Sequence, residues 1–180
     1  MNRKNHRPVF AGVAVTAATA LAIVALGSGT AAGSGTAQHA SAEIVDALGN
    51  RIGTAKFTED ATGVVHVNVK VSGLSAGLHG IHIHAVGTCS PTFGAAGSHY
   101  NPTGAPHGAH SGDLPNLIVN NAGQGRLNTT TDHVTLSDGP MSVFDVDGSA
   151  IIIHANPDDF VTQPTGNSGG RVACGVIVAG

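Results

Sequence analysis

Eleven histidines occur in the 180 residues, and six of them fall between His79 and Asp113. That stretch reads HGIHIHAVGTCSPTFGAAGSHYNPTGAPHGAHSGD and also holds one of only two cysteines. His82 and His84 stand two apart in a β-branched run, so on a strand both imidazoles leave the same face, half of a strand-borne metal site. His99, His107, His110 and Asp113 follow at intervals of 8, 3 and 3 residues in a Gly/Pro-rich segment. Nitrogen and carboxylate ligands spaced in this way can close around a tetrahedral zinc. Imidazole-rich donor sets with a carboxylate suit copper and zinc, and an oxygen cage for a hard cation is not implied.

Such ligands need rigid elements beneath them. In Val65–Val71 the valines alternate with His66, Asn68 and Lys70, the pattern of a half-buried antiparallel strand, which puts His66 at the surface. Further short strands are expected at about 43–48, 51–59, 80–85, 114–120, 125–132, 149–154 and 171–178, separated by turn signals such as Leu48-Gly49-Asn50 and Asn121-Ala122-Gly123. No long helical period appears beyond the N-terminal segment. Eight short strands imply an all-β fold, an antiparallel Greek-key sandwich or flattened barrel with long metal-binding loops. With five phenylalanines, one tyrosine and no tryptophan, its core must be built from Val, Ile, Leu and Ala.

Residues 1–8 carry Arg3, Lys4 and Arg7, an uncharged run extends from Val9 to Leu26, and a small-residue stretch follows. This reads as a secretory signal, with an uncleaved anchor as the alternative. Residues 1–40 are assigned to the signal and a short flexible linker running from Thr30 to Ser41, and 41–180 to one domain. Without the three leader cations, five basic residues face eleven acidic ones, a balance of minus six. That balance disfavours nucleic acid or an anionic membrane as partner, and aromatic stacking surfaces are absent. A homodimer is compatible with the sequence.

HGIHIH, HYNP, HGAHSGD and, near the C-terminus, GNSGGRVACGVI together resemble the copper/zinc superoxide dismutase family, from about residue 42 to Gly180. The resemblance implies copper held by His82, His84, His99 and His154, and zinc held by His99, His107, His110 and Asp113. His99 would then be an imidazolate shared by both metals. It implies dismutation of superoxide, with copper alternating between two oxidation states while His99 helps supply a proton to the peroxide. It further implies that Asp158 joins His82 to His107 through its carboxylate, and that His79 braces the copper strand without ligating. For Asp158 the alternative is an ordinary charged turn after Pro157. Arg171 would draw the anion to the site.

Cys89 and Cys174 form an even pair in an apparently exported chain, so a disulfide is expected, with two free thiols as the alternative. It would tie the loop before His99 to the last strand and bear on where Arg171 points. The protein is accordingly expected to act outside the cytoplasm, in the cell envelope or beyond it, with no membrane contact after cleavage. Two departures from the family stand out. The segment between Asp159 and Arg171 is short and has no Lys or Glu, so it offers no charged side chain of that kind for long-range steering of the substrate, and Ile81 replaces the usual aromatic residue. A rival reading is a non-catalytic metal-binding or copper-delivery module on the same sandwich, since fold alone does not confer activity. A zinc hydrolase is disfavoured because no HExxH-type motif is present. His6, His39 and His133 carry no assigned chemistry, and the Asn128-Thr129-Thr130 sequon is a weak signal.

Overall fold

Val65, Val67 and Val69 are fully buried while His66 and Lys70 are exposed, so the alternation read from the sequence is the alternation of a real sheet. Each such valine contributes about 1.5–3 kcal/mol by leaving water. The computed structural model describes residues 38–180, together with Met1. The secretory signal expected in the N-terminal segment lies outside the described residues.

Ten strand segments follow in chain order: β1 Gln38–Asp46, β2 Arg51–Glu59, β3 Val65–Val71, β4 Gly77–His79, β5 Ile81–His84, β6 Leu117–Val119, β7 Gly125–Thr131, β8 Ala150–His154, β9 Arg171–Val176 and β10 Val178–Ala179. One 3₁₀ turn, η1, spans Phe93–Ala96. Every ladder is antiparallel, and the spatial order is β4-β6-β7-β3-β2-β1-β9-β8-β5 with β10 beside β1. The two ends of this path, β4 and β5, are consecutive in the chain and separated by Gly80 alone, so the sheet all but closes into a barrel. The neighbours β3–β7 and β1–β9 are far apart in sequence, which is the Greek-key feature.

Gly80 is where the chain leaves β6 and joins β8. Its N–H donates to Asn156 O, and its carbonyl accepts from the His154 N–H. A Cβ at this position would sit 2.6 Å from Ser168 Oγ. The expected strand at 80–85 is β5, Ile81–His84, with an additional short strand, β4, ahead of Gly80, and the expected 171–178 is broken into β9 and β10 at Ile177. The expected 114–120 shrinks to β6, Leu117–Val119, and Pro115, ahead of it, has no N–H for a ladder. β1 begins at Gln38, so residues 38–41, expected as the end of a flexible linker, pair with Lys56–Glu59 instead.

The barrel interior is filled by Ile44, Phe57, Val65, Val67, Val69, Ile81, Ile83, Leu117, Ile151 and Ile153 among others. One acid is buried at its edge. Glu59 accepts the Leu136 and Ser137 N–H groups at 2.7 Å and the Ser137 hydroxyl at 2.8 Å, and so fixes the long β7–β8 connection.

Candidate metal centre

β5 has core on one side and histidines on the other. Ile81 and Ile83 point into the barrel, His82 and His84 point away from it, and all four are fully buried. β8 pairs along one edge of β5, with His82 opposite Ile152 and His84 opposite Ala150. Along the other edge lies the backbone of the 98–113 loop. Ile83 N donates to Gly112 O at 2.8 Å, Tyr100 N to Ile83 O at 2.8 Å and Ala85 N to Ser98 O at 3.0 Å. Gly112 is required for this approach, since a Cβ would overlap the Ile83 carbonyl. A segment that reads as loop is thus sealed against the strand that carries two of the histidines. His154 comes in at the end of β8, where the register with β9 shifts and sets it opposite Arg171.

Two donor sets result, each with ligand atoms within 4.8 Å of one another: His82, His84, His99 and His154, and His99, His107, His110 and Asp113. His99 is common to both. Its Nδ1 lies 2.9 Å from Asp113 Oδ1 and 3.4 Å from His110 Nδ1, so that nitrogen faces the second set and Nε2 faces the first. His107 Nδ1 is 3.3 Å from Asp113 Oδ2.

Four of the remaining ring nitrogens, on His82, His84, His107 and His154, are tied down, as metal-binding histidines require. His82 Nε2 donates to Asp158 Oδ2 at 2.7 Å and His107 Nε2 to Asp158 Oδ1 at 2.8 Å, so one buried carboxylate spans the two sets. His84 Nδ1 donates to Gly97 O at 3.0 Å and His154 Nδ1 to Gly169 O at 3.2 Å. That leaves His84 Nε2 and His154 Nε2 facing each other at 3.4 Å. His79, also buried, donates from Nδ1 to His154 O at 2.6 Å, and its Nε2 lies 2.9 Å from Ser75 O. It braces the end of β8 without joining either set.

The donors fit metals on their own chemistry. His82 Nδ1, His99 Nε2 and His107 Nδ1 are buried polar atoms without a hydrogen-bond partner, a costly arrangement unless a ligand completes them. Burial, with the neighbouring His99 adding to it, lowers His82; burial lowers His84 and takes His154 to about 4. Their lone pairs are therefore free at neutral pH. Burial alone would raise the Asp113 carboxyl, but the His99 ring and the Gly108 N–H hold it well below the carboxylate range. Asp158 is lowered in the same way: burial opposes, and hydrogen bonds from His107, Phe160 N–H and His82 prevail. All-nitrogen and nitrogen-plus-carboxylate sets suit copper and zinc respectively.

Arg171 opens β9, and its guanidinium donates to the carbonyls of Phe93, at 2.6 Å, and Gly97. Gly97 O thus anchors both Arg171 and His84. Cys89 and Cys174 are bonded, with Cα atoms 5.9 Å apart, and tie the segment leading into η1 to β9. The two-free-thiol alternative is excluded. His66 is exposed and paired with Asp60 at 3.0 Å, as its strand position implies.

Three anchors escape sequence reasoning. The Asn116 amide accepts from Asp158 N at 2.8 Å and donates to Asp158 O at 2.9 Å. The Gln163 amide accepts from His107 N at 2.8 Å and donates to His107 O at 3.2 Å. Gly166 packs where a Cβ would overlap Asp158 Oδ1 and His107 Nε2. Only Gly166, in a Gly-rich tail, left a signal.

The profile of the copper/zinc superoxide dismutase (SODC) family matches residues 51–177. A superoxide dismutase [Cu-Zn] from Deinococcus radiodurans is 42% identical over an alignment of 157 residues that covers 77% of this chain and 83% of that protein. A SOD-like protein from Bacillus subtilis superposes with a TM-score of 0.73 at 33% identity, covering 77% of this chain and 97% of that one. A double mutant of a SOD-like protein from the same organism gives 0.72 at 35%, covering 76% and 95%.

Proposed function

The chain belongs to the copper/zinc superoxide dismutase family, and from that premise we propose that it converts two superoxide anions and two protons into dioxygen and hydrogen peroxide at the paired histidine sets. The observation that carries the reading is His99, which turns Nδ1 toward Asp113 and Nε2 toward the other three copper-set histidines. In this reading His82, His84, His99 and His154 hold copper, and His99, His107, His110 and Asp113 hold zinc. When bound, copper would supply the one-electron exchange in both directions, and zinc would hold the 99–113 loop and draw charge from the shared imidazole.

The chain's own residues do the rest. Arg171, fixed by two carbonyls, offers a cation beside His84 and His154 where a small anion arrives. With Nδ1 committed to the zinc side, His99 has one nitrogen, Nε2, on which to carry a proton to the departing peroxide. Asp158 keeps His82 and His107 in their ligating orientations by accepting from both. The disulfide suits an oxidising compartment, so the protein acts in the cell envelope or beyond it, with superoxide as its partner. Neither nucleic acid nor membrane is engaged by the mature domain, and a homodimer is compatible with it.

Metal analysis and superoxide consumption measured on the same purified sample test the reading. The expected result is about one copper and one zinc per chain with rapid consumption, and His99→Ala should lose most of the activity and the pairing of the metals. Two zincs and no copper after copper-replete folding would overturn it. Both metals bound without dismutation would point instead to a metal-binding or copper-delivery module.

A further inference from the structure

The 158–167 loop is short and lacks the Lys and Glu residues that could steer an anion, but it is heavily bonded. Asp159 N donates to Gly166 O, Gly166 N to Thr162 O and Asn167 Nδ2 to Asp159 Oδ2, so the loop closes on itself. From that ring three groups converge on one residue. The Asp158 carboxylate takes the His107 ring N–H, Gly166 leaves room for the ring edge, and the Gln163 side chain pairs with the His107 main chain in both directions. The His107 ring is fully buried, while Gln163 itself is exposed. An exposed glutamine in a turn gains little by ordering itself, and this one bonds the main chain of a buried histidine in both directions, with a further contact from Nε2 to Val161 O at 3.3 Å.

Resting on the zinc assignment above, we propose that Gln163 is a positioning residue that holds His107 in place and sets how long zinc stays in its site. His107 lies outside any strand and is followed by Gly108, so no ladder holds its backbone. The amide holds it from across the loop. Through Asp158 the same histidine is joined to His82, so the clamp also reaches the copper side.

The test uses the full chain loaded with both metals and follows zinc release to a colorimetric chelator, with cobalt(II) in place of zinc as a second, spectroscopic readout. Gln163→Leu keeps the side chain's bulk and removes the amide. It should release zinc roughly tenfold faster, in keeping with the loss of two part-buried hydrogen bonds to His107, and alter the cobalt absorption bands. Gln163→Glu retains the acceptor for the His107 N–H and should fall between Leu and the parent, which keeps the test valid if the Leu variant folds poorly. Asn167→Gly loosens the loop's own bonds without touching His107 and should release zinc within about twofold of the parent. Leu release equal to the parent, or Asn167→Gly as fast as Leu, overturns the clamp. A parent that takes up no zinc overturns the zinc assignment itself, so the two failures are distinguishable.

Discussion

Arg171 shows what a single residue contributes. Burial lowers its guanidinium, but a guanidinium of this kind remains a cation throughout the working range. The domain's charge balance of minus six repels a small anion from the molecule as a whole, so the attraction must be local. Arg171→Ala should keep the fold and both metals, lose roughly tenfold in second-order rate, about 1.4 kcal/mol, and weaken inhibition by azide. Unchanged superoxide kinetics together with unchanged azide affinity would show that the residue is merely an exposed charge. With no lysine in the neighbouring loop, the parent rate should also vary little with salt. The members of the two donor sets were legible in the sequence, through their spacing and the family resemblance, because metal donors are few in kind. The carbonyl of Gly97, which serves both Arg171 and His84, was not. Neither were the amides of Asn116 and Gln163, because a side chain that bonds backbone leaves no partner in the sequence to match it with.

At the scale of elements, period-two alternation gave the strands, since one face of each is core and the other water. It could not foresee the three-residue β4, which pairs with β6 while β5 just beyond Gly80 pairs with β8, because three residues are too few to show a period. Nor could it foresee the backbone of 98–113 docking on the free edge of β5, which rests on main-chain hydrogen bonds. The disulfide links these levels. It joins positions 85 apart and, on the chain-entropy account, stabilises by about 4–5 kcal/mol, an upper figure where the native state is strained. It also holds the segment whose carbonyls at Phe93 and Gly97 fix Arg171. Cys89→Ser with Cys174→Ser should therefore lower the denaturation midpoint and, under conditions where the protein is still folded and fully metallated, reduce the rate. A double variant that is less stable but fully active would separate the bridge from the arginine.

For the whole molecule, the same burial that prepares the site for metals makes the metal-free protein sensitive to acid. His82, His84, His110 and His154 are all lowered, burial being the first cause in each. As pH drops below about 6.5 the unfolded chain takes up protons on these histidines while the folded chain does not, so folding is progressively disfavoured until the folded groups also titrate. His154 alone, held at about 4, corresponds to about 3 kcal/mol across that window. Asp113 and Asp158, both lowered, add stability that is present above the ordinary carboxylate range and lost below it, so they act in the same direction at lower pH. Stability of the metal-free protein should accordingly be full above pH 6.5 and fall steeply from there to about pH 4. With copper and zinc bound the same histidines are engaged, and the curve should stay flat until protons displace the metals. Calorimetric midpoints taken at half-unit intervals with and without chelator compare the two. A metal-free midpoint that is constant or rises between pH 6.5 and 4 would mean that these histidines are hydrated and protonated in the folded protein, and that the lone pairs assigned to the metals are not free.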